Sequence, residues 1–370
     1  MNNQQIFSTI DKDGLTLALT DVETPTPEGA HVLVEIEACP INPSDMFPLF
    51  GPADMMNAKF DGKTLTAPLP ADRMAMVASR LGQALPVGNE GAGRVVAAGD
   101  DAAAQALMGK RVAILSGATY ARYALVPAAA CLPHHDKTTA QEAASSFVNP
   151  LTSLAMLETM KRDGAKGIVH TAAASNLGQM MVKLCKAESV PLVNVVRKPE
   201  QEALLKQLGA EHIVNSTAPD FHEALTAAID ATGATIAFDA IGGGTMAADI
   251  LTCMERVASK NITGLNTYGS EQHKQVYVYG SLDFGPTTLP RAFGMCWGVG
   301  GWLMRTILAA LPPARTMELY TKVANEITTT FASHYSAEIS LAGLLDPANI
   351  AQYLPRQTGT KYLVRPDMKD

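Results

Sequence analysis

The residues with the clearest capacity to bind a charged ligand lie in the turn TAAASNLGQ, residues 171–179, between the apolar run GIVH and a segment of helical periodicity. Small residues at a strand-to-helix turn let backbone N–H groups and the helix dipole approach a pyrophosphate. Of the G-x-G-x-x-G pattern of dinucleotide sites, Ala173 and Ser175 hold the first two positions and only Gly178 remains. The turn therefore indicates a dinucleotide site, with an ordinary tight turn as the alternative.

Two cations follow about 20 residues further on, where the next apolar run ends in Val196, Arg197 and Lys198. An NAD site usually places Asp or Glu there to bind the ribose 2′-hydroxyl. Arg and Lys would instead attract a 2′-phosphate, which Arg can hold through two parallel hydrogen bonds. The pair favours NADPH over NADH. The alternative is a solvated pair at a helix start, where cations are mildly unfavourable.

The elements that must position these residues form two groups. Up to about Pro150, alternating apolar and polar residues with frequent Pro and Gly predict a strand-rich, barrel-like domain. Beyond it, short apolar strands separated by helical segments indicate a parallel, doubly wound sheet. We expect strands at GIVHTAA, PLVNVV, EHIVN, TIAFDAIGG and NITGLN. We assign residues 149–329 to this second domain and residues 1–148, completed by residues 330–370, to the first.

Composition limits the classes of partner. The chain has 370 residues, a net charge of -7 and a sequence pI near 5.6, which argue against nucleic acid or an anionic membrane. The N-terminus lacks the pattern of a signal peptide, and residues 292–304 form an apolar stretch too short to cross a bilayer. The five cysteines contain no CxxC pair and indicate reduced thiols. We expect a cytoplasmic protein that acts on a small molecule.

Further segments make a family resemblance specific. They are INPSD, GNEGAGRVVAAG, NPLTSLAML, LLKQLGAEHIVN and FDAIGG, in this order and with the turn described above in its place. Over nearly its whole length the chain resembles the medium-chain dehydrogenase/reductase superfamily. The resemblance implies an α/β fold in which a Rossmann-type, doubly wound parallel sheet accompanies a second, strand-rich, GroES-like barrel domain.

The resemblance also suggests which branch of the superfamily applies. Zinc alcohol dehydrogenases of this group hold the catalytic metal with Cys, His and Cys at positions that correspond here to Asn42, Asn89 and Asn149. An amide oxygen is a poor Zn²⁺ ligand, so we expect no metal. The chain is then similar to the zinc-free quinone oxidoreductases and enoyl thioester reductases. For the three asparagines the alternative is structural hydrogen bonding, which we favour for Asn89.

The resemblance also assigns the contacts of the NADPH cofactor residue by residue. The nicotinamide end is assigned to Asn42 and Thr152, the pyrophosphate to Ala174, Ser175, Asn176, Leu177 and Gly178, the 2′-phosphate to Arg197 and Lys198, and the remaining groove to Asn215, Ile241, Asn266 and Tyr279, with Lys361 near its mouth.

No proton donor stands out. Enoyl thioester reductases place a catalytic Tyr shortly after the NPSD segment, and this chain has MFPLFGPADMM there. The candidate proton donors are Tyr120, Tyr268 and Tyr279, because a phenol can protonate an enolate or quinol oxygen. Solvent is the alternative donor.

A Met-rich stretch between Gly51 and Leu85 also has two interpretations. It contains Met55, Met56, Met74 and Met76, whose adaptable side chains could cover a flat hydrophobic substrate. The other interpretation is an extra surface helix.

These expectations combine into an NADPH-dependent oxidoreductase that transfers a hydride, without zinc, to a small hydrophobic electrophile such as a quinone or α,β-unsaturated carbonyl. One alternative is a non-catalytic NADPH-binding sensor or structural relative, and another is an alcohol or aldehyde dehydrogenase. The strand KQVYVYG is a plausible exposed edge, so we expect a homodimer.

Overall fold

The computed structural model describes residues 2–368 and divides into two compact units. Unit 1 is Met1–Pro150 with Tyr320–Asp370, and unit 2 is Leu151–Leu319. We had expected divisions after residues 148 and 329. The second division lies ten residues earlier than that, within the helix Pro313–Glu326, because no Gly or Pro interrupts the helical pattern where the chain passes from one unit to the other.

The strands, in chain order, are β1 (Asn2–Asp11), β2 (Gly14–Glu23), β3 (His31–Pro40), β4 (Lys59–Phe60), β5 (Thr64–Ala67), β6 (Leu85–Pro86), β7 (Glu90–Ala98), β8 (Arg111–Leu115), β9 (Tyr123–Pro127), β10 (Cys131–Pro133), β11 (Ile168–His170), β12 (Leu192–Val196), β13 (His212–Asn215), β14 (Ile236–Asp239), β15 (Gly242–Gly244), β16 (Lys274–Val278), β17 (Asp283–Thr287), β18 (Trp297–Gly301), β19 (Ala337–Ile339) and β20 (Tyr362–Val364).

The α-helices are α1 (Met46–Phe50), α2 (Ala102–Gln105), α3 (Ala140–Ala143), α4 (Val148–Arg162), α5 (Asn176–Ala187), α6 (Pro199–Gln207), α7 (Phe221–Thr232), α8 (Met246–Ala258), α9 (Met304–Ala310), α10 (Pro313–Glu326) and α11 (Pro347–Tyr353). Short 3₁₀ helices cover Pro43–Asp45, Met55–Asn57, Ala71–Arg80, Ala128–Ala130 and Gly343–Leu345. None of the helices within residues 2–368 is both long and apolar enough to cross a membrane.

Unit 1 is built from two sheets. One has the order β4-β5-β2-β1-β6, and the other has the order β10-β8-β7-β3-β20-β19 with β9 also paired to β3. Alternate residues of β1 and β2, among them Ile6, Ile10, Leu15 and Leu17, are buried in the core, as period-two patterning predicts. The strand β20 runs antiparallel to β3, with Leu363 opposite Pro40. This pairing brings the C-terminal segment beside the residues that follow β3.

Unit 2 contains a six-stranded parallel sheet with the order β13-β12-β11-β14-β16-β18. Numbered along the chain, this is the order 3-2-1-4-5-6 of the Rossmann fold. The order reverses between β11 and β14, and ligands of such sheets bind beyond the carboxyl ends of the strands at that reversal. The predicted fold class, a doubly wound parallel sheet with a separate strand-rich domain, is confirmed.

Two predictions about this sheet are wrong. The segment NITGLN is an irregular loop, because its apolar residues have nothing to pack against and Leu265 is 99% exposed. The strand within KQVYVYG, β16, is not an edge, since it lies between β14 and β18. The edge strand on this side of the sheet is β18, whose Gly-rich sequence WGVGG lies in the apolar stretch that we interpret from sequence as core.

The Met-rich stretch includes a short surface helix, the second of its two interpretations. It forms the short strands β4 and β5 and the 3₁₀ helix Ala71–Arg80. Met55 and Met74 pack against the core of unit 1, whereas Met56 is 96% exposed. The buried guanidinium of Arg80 fastens this segment by donating to the hydroxyl of Ser8 at 2.7 Å and to the carbonyl oxygen of Pro48 at 3.0 Å.

A buried ion pair holds the amino-terminal edge of the parallel sheet. The Lys274 ammonium is fully buried and donates to Glu255 Oε2 at 2.5 Å, to Ser270 Oγ at 3.0 Å and to the carbonyl oxygen of Gln272 at 2.9 Å. All three N–H bonds of Lys274 are thus satisfied. A buried charge left without its partner is costly, so these bonds keep the loop before β16 in place.

The substitution Lys274→Met should lower the free energy of unfolding by about 3–5 kcal/mol, because it leaves the Glu255 carboxylate buried and unpaired. The matched control is Lys260→Met, which removes an ion pair with Asp230 whose side chains are 51% and 44% exposed. The control should lose at most about 1 kcal/mol. Urea unfolding followed by circular dichroism measures both, and equal small losses would contradict this account.

The same network predicts acid sensitivity. Burial alone would raise the pKa of Glu255, but hydrogen bonds from Lys274, Ser270 and Ser259 lower it from 4.5 to about 2. A depressed pKa stabilises the folded state above the unfolded value, and that contribution is lost as pH falls from about 4.5 towards 2. Glu255→Gln should therefore show a shallower fall in unfolding free energy between about pH 5 and pH 3 than the unchanged protein does. Parallel slopes would show that Glu255 is not the sensitive group.

Candidate functional site

The carboxyl ends of β11 and β14 are tied together where the strand order reverses. The Asp239 carboxylate, fully buried, accepts a hydrogen bond from Thr171 Oγ1 at 2.7 Å and from the backbone N–H groups of Ile241 and Gly242, each at 3.0 Å. The backbone N–H of Ala240 in turn donates to Thr171 Oγ1. This network fixes the two loops between which a dinucleotide would lie.

The turn after β11 is built for close approach. A Cβ added to Gly178 would lie 2.0 Å from the carbonyl oxygen of Ala173, so only glycine allows α5 to begin this near the strand. Ser175 is the N-cap of α5 and its hydroxyl accepts from the backbone N–H of Gly178 at 3.1 Å. Ala172 has φ of 51°, a left-handed conformation that favours glycine. The small side chains at this helix N-terminus leave room for a pyrophosphate.

Directly after β12, the side chain of Arg197 is exposed to solvent. The backbone of Arg197 is held, because its N–H donates to Gln201 Oε1 at 3.0 Å and its carbonyl oxygen accepts from Thr217 Oγ1 at 3.1 Å. Its guanidinium has no side-chain partner within residues 2–368. Lys198 is also exposed, and its Nζ lies 3.8 Å from Oε1 of Glu200. A phosphate could therefore bind Arg197 without displacing an existing ion pair.

A cavity of about 520 Å³ opens at the carboxyl ends of β16 and β18. Its lining residues are Val278, Tyr279, Gly280, Ser281, Gly301, Trp302, Leu303 and Thr306. The Tyr279 hydroxyl lies 2.8 Å from Nε2 of His170, and the two rings stack at 5.8 Å between centroids. Burial lowers the pKa of His170 to about 4, so its imidazole is neutral at neutral pH.

The residues of this edge fit a dinucleotide. Five predicted contact regions lie along this edge, because each stands at or shortly after the carboxyl end of a different parallel strand: the turn Ala174 to Gly178, the pair Arg197 and Lys198, Asn215, Ile241, and Tyr279. The side chain of Asn215 is engaged with Glu202 and Thr217, which leaves it a structural part of this edge. Thr152 lies on α4.

Asn266 and Tyr268 are not at this edge, contrary to our expectation. They lie in the exposed loop between α8 and β16, which leads into the amino end of a strand rather than out of its carboxyl end. Asn266 shapes that loop by donating to the carbonyl oxygen of Gly269 at 2.7 Å. The segment NITGLN has a strand-like sequence but does not form a strand, and the assignment of Asn266 to the cofactor groove depended on that strand.

Unit 1 contains a second polar cluster, built around Asn42, which we call the Asn42 cluster: Asn42, Glu90, Ser145, Tyr335 and Lys361. Asn42 Nδ2 donates to Glu90 Oε1 at 2.9 Å, and Lys361 Nζ donates to Asn42 Oδ1 at 3.1 Å. Lys361 also donates to Ser145 Oγ at 2.9 Å, and that hydroxyl lies 2.8 Å from the hydroxyl of Tyr335. Asn42, Glu90 and Ser145 are buried, whereas Lys361 and Tyr335 are partly exposed.

Local structure explains why these groups meet. Asn42 begins the 3₁₀ helix Pro43–Asp45 directly after β3, and Lys361 directly precedes β20, the partner of β3. Glu90 begins β7, on the other side of β3, and its Oε2 accepts backbone N–H groups from Phe147 and Val148. Three neighbouring elements of one sheet therefore bring an amide, a carboxylate and an ammonium together.

Burial shifts the pKa values of the ionisable side chains in and beside this cluster. Burial lowers the pKa of Lys361 to about 8, against the opposing effect of Glu90 and Asp45. Burial likewise raises the pKa of Asp45 to about 7, although backbone N–H groups of Asn42 and Asn89 donate to its carboxylate. The pKa of Glu90 is also raised by burial.

These side chains do not fit a catalytic zinc ion. Both polar atoms of the Asn42 amide are engaged, and the neighbouring Lys361 ammonium would repel a cation. Asn89 donates to Ser44 Oγ at 3.0 Å, in keeping with the structural role that we favoured for it. Within residues 2–368 no three His, Cys, Asp or Glu side chains form a group able to hold a metal ion.

Two of the candidate proton donors already have hydrogen-bond partners in the structure. Tyr120 is fully buried in unit 1 and donates to the carbonyl oxygen of Pro40 at 3.2 Å, so its hydroxyl does not face a ligand. Tyr279 is at the cofactor edge but bound to His170. Sequence reasoning missed Glu90, Ser145, Tyr335 and His170. A polar residue in a strand-like run, as in GIVH, was a signal for His170 alone.

Comparison with known proteins supports the relationship that the motifs suggested. The family model for zinc-binding dehydrogenases matches residues 177–289. Prostaglandin reductase-3 of Mus musculus is 28% identical over 158 residues, 42% of this chain and 41% of that protein. The mitochondrial enoyl-[acyl-carrier-protein] reductase of Mus musculus is 27% identical over 231 residues, 61% of this chain and 56% of that protein.

One solved structure matches this chain over nearly the whole length of both proteins. It is provisionally described as an NADPH:quinone reductase of Mesorhizobium loti, is 26% identical, covers 98% of both chains and has a TM-score of 0.73. The two curated relatives, in contrast, are matched over less than two thirds of their own lengths. Shared motifs, strand order and these matches support the placement of this chain in the medium-chain dehydrogenase/reductase superfamily, a family of nicotinamide-dependent oxidoreductases.

Proposed function

We propose that this protein is an NADPH-dependent reductase that transfers a hydride to a quinone or an α,β-unsaturated carbonyl without zinc. The observation that carries the proposal is the Asn42 cluster, in which an amide bound to Glu90 and Lys361 stands at the position of a metal ligand in the zinc enzymes. A quinone or enone is already electrophilic, so correct positioning supplies much of the catalysis.

The names of the relatives support a reductase. One is called a prostaglandin reductase, one an enoyl reductase and one an NADPH:quinone reductase. All three names describe reduction. Hydrophobic substrates of this kind also agree with the apolar composition and the net negative charge of the chain, which favour a small uncharged ligand over a polyanion.

The residues of unit 2 would hold the cofactor. The turn Ala174 to Gly178 would bind the pyrophosphate through backbone N–H groups, and Arg197 with Lys198 would bind the 2′-phosphate. The cavity beside Tyr279 would take the nicotinamide end. When bound, NADPH supplies the hydride.

We also propose a cytoplasmic homodimer. The outer edge of β18 has no strand partner within the described part of the chain, and an open parallel edge can pair with a second copy.

Purified protein should consume NADPH in the presence of at least one member of a panel of 9,10-phenanthrenequinone, 1,4-benzoquinone and simple enones. The absorbance of NADPH follows the reaction. Tight NADPH binding without consumption across the panel would favour the non-catalytic alternative. Stoichiometric zinc in the active protein would instead favour the alcohol dehydrogenase alternative.

Arg197→Ala should weaken NADPH binding by about 1.5–3 kcal/mol, roughly 10- to 100-fold, because it removes charge-assisted hydrogen bonds to the 2′-phosphate. NADH, which lacks that phosphate, should bind almost unchanged. Arg256→Ala, at an exposed arginine near the end of α8, is the matched control and should alter neither affinity. Equal effects of Arg197→Ala on both cofactors, measured by fluorescence titration, would disprove the 2′-phosphate assignment.

A further inference from the structure

The amino-terminal edge of the parallel sheet carries a thiol and an imidazole in contact. Sγ of Cys296 lies 3.9 Å from Nδ1 of His273, at the long end of the range for a sulfur donor. Cys296 is partly exposed and His273 is exposed, so both groups are open to solvent. An imidazole beside a thiol can take its proton as the sulfur attacks an electrophile. The pair therefore has the two parts of a nucleophilic site.

Backbone pairing places these two side chains together. His273 directly precedes β16 and Cys296 directly precedes β18, and these parallel strands are neighbours with Lys274 opposite Trp297. The backbone N–H of Lys274 donates to the carbonyl oxygen of Cys296 at 3.1 Å. The Lys274 ammonium is in turn held by the ion pair with Glu255. The backbone beside His273 is thus held by both the strand pairing and the ion pair.

The other four cysteines are shielded. Cys39, Cys185 and Cys253 are buried. Burial raises the pKa of Cys185 to about 12, and it raises the pKa of the partly exposed Cys131 to about 12 as well. The thiol of Cys131 contacts the carbonyl oxygen of Pro127, which is not a base that could take its proton. Because the thiolate is the reactive form of cysteine, we expect these four to react slowly.

Apolar side chains beside the thiol suit a hydrophobic electrophile. Met295, which directly precedes Cys296, is 69% exposed, and Tyr268 is 72% exposed. Their backbones are in contact, because the N–H of Met295 donates to the carbonyl oxygen of Tyr268 at 2.9 Å. Neighbouring large apolar side chains left in solvent can mark a binding surface. This one offers an aromatic ring and an adaptable thioether to a flat ligand.

We propose that Cys296 and His273 form a covalent site for soft electrophiles of the class of quinones and α,β-unsaturated carbonyls. The site lies at the end of the parallel sheet opposite to the cofactor edge. It goes beyond the proposed function, because the addition uses neither NADPH nor hydride transfer.

The step is an addition that balances without a further reactant. The Cys296 S–H bond breaks as Nδ1 of His273 takes the proton, and the sulfur electron pair forms a bond to the electrophilic carbon. The π pair of the C=C bond moves to the carbonyl oxygen, which receives the proton from His273. An enone becomes a saturated thioether once the enol proton moves to carbon. A quinone becomes a hydroquinone thioether once the proton on the ring carbon moves to the second oxygen, and the thiol supplies the two electrons.

The first test needs no variant. The unchanged protein, without NADPH, is treated briefly with one equivalent of 1,4-benzoquinone or 2-cyclohexen-1-one and analysed by mass spectrometry. The adduct should lie on Cys296, in the tryptic peptide of residues 292–305. Cys296→Ser should lower the rate of adduct formation roughly 10-fold or more, whereas the matched control Cys131→Ser should leave it unchanged.

Two further variants test the parts of the site. His273→Gln should slow the addition about 10-fold at neutral pH and make its rate more steeply dependent on pH, because only the free thiolate would then react. His31→Gln, at an exposed histidine of unit 1, is its matched control. Tyr268→Ala should slow the reaction with benzoquinone but not with iodoacetamide, a small polar reagent that needs no apolar surface.

The outcomes are distinct. Benzoquinone labelling of another cysteine as fast as Cys296 would overturn the inference. Labelling of Cys296 that His273→Gln alters neither in rate nor in pH dependence would also overturn it, since the residue would then be an ordinary exposed thiol. The proposed function is judged separately by NADPH consumption: a protein that is labelled on Cys296 with the help of His273 but consumes no NADPH supports this inference and contradicts that function.

Discussion

The hydrogen bond from Lys361 to Asn42 is the contact on which the rest of the candidate chemistry depends. It joins two residues 319 positions apart in the chain. It exists because β20 pairs with β3 and so carries the C-terminal segment back to the start of the molecule. Without that pairing, Asn42 and Glu90 would form a buried amide and carboxylate with no cation to balance them, which is an expensive arrangement in a low-dielectric interior.

The Asn42 cluster and the parallel sheet bring together different kinds of polar group. In unit 2, the strand order reverses beside the network around Asp239, and the glycine near the start of α5 lets that helix begin close to β11. These features leave room for the phosphates of the proposed cofactor without a charged side chain at the turn itself. In unit 1, one ammonium is retained among buried acceptors. The candidate phosphate-binding turn and the Asn42 cluster thus lie in different units, each with its own supporting hydrogen bonds.

Much of the fold could be predicted because it is encoded by local pattern. Short apolar strands, helical spacing and the turn before Gly178 specify a parallel sheet, and Arg197 at the end of β12 is visible from spacing alone. The incorrect predictions concerned features that depend on what surrounds a segment in the folded chain. The segment NITGLN has a strand-like sequence but no surface to pack against. The sheet edge was assigned to β16 because β18 is rich in glycine, which is uncommon in strands. Lys361, Ser145 and Tyr335 come together only through long-range pairing, which no local pattern reports.

A crystal structure with NADP⁺ and a phenolic product analogue would test the central claim most directly. The account predicts oxygens of the 2′-phosphate within about 3 Å of the Arg197 guanidinium and no metal ion beside Asn42. A 2′-phosphate held by other groups, or a coordinated cation in contact with Asn42, would contradict it.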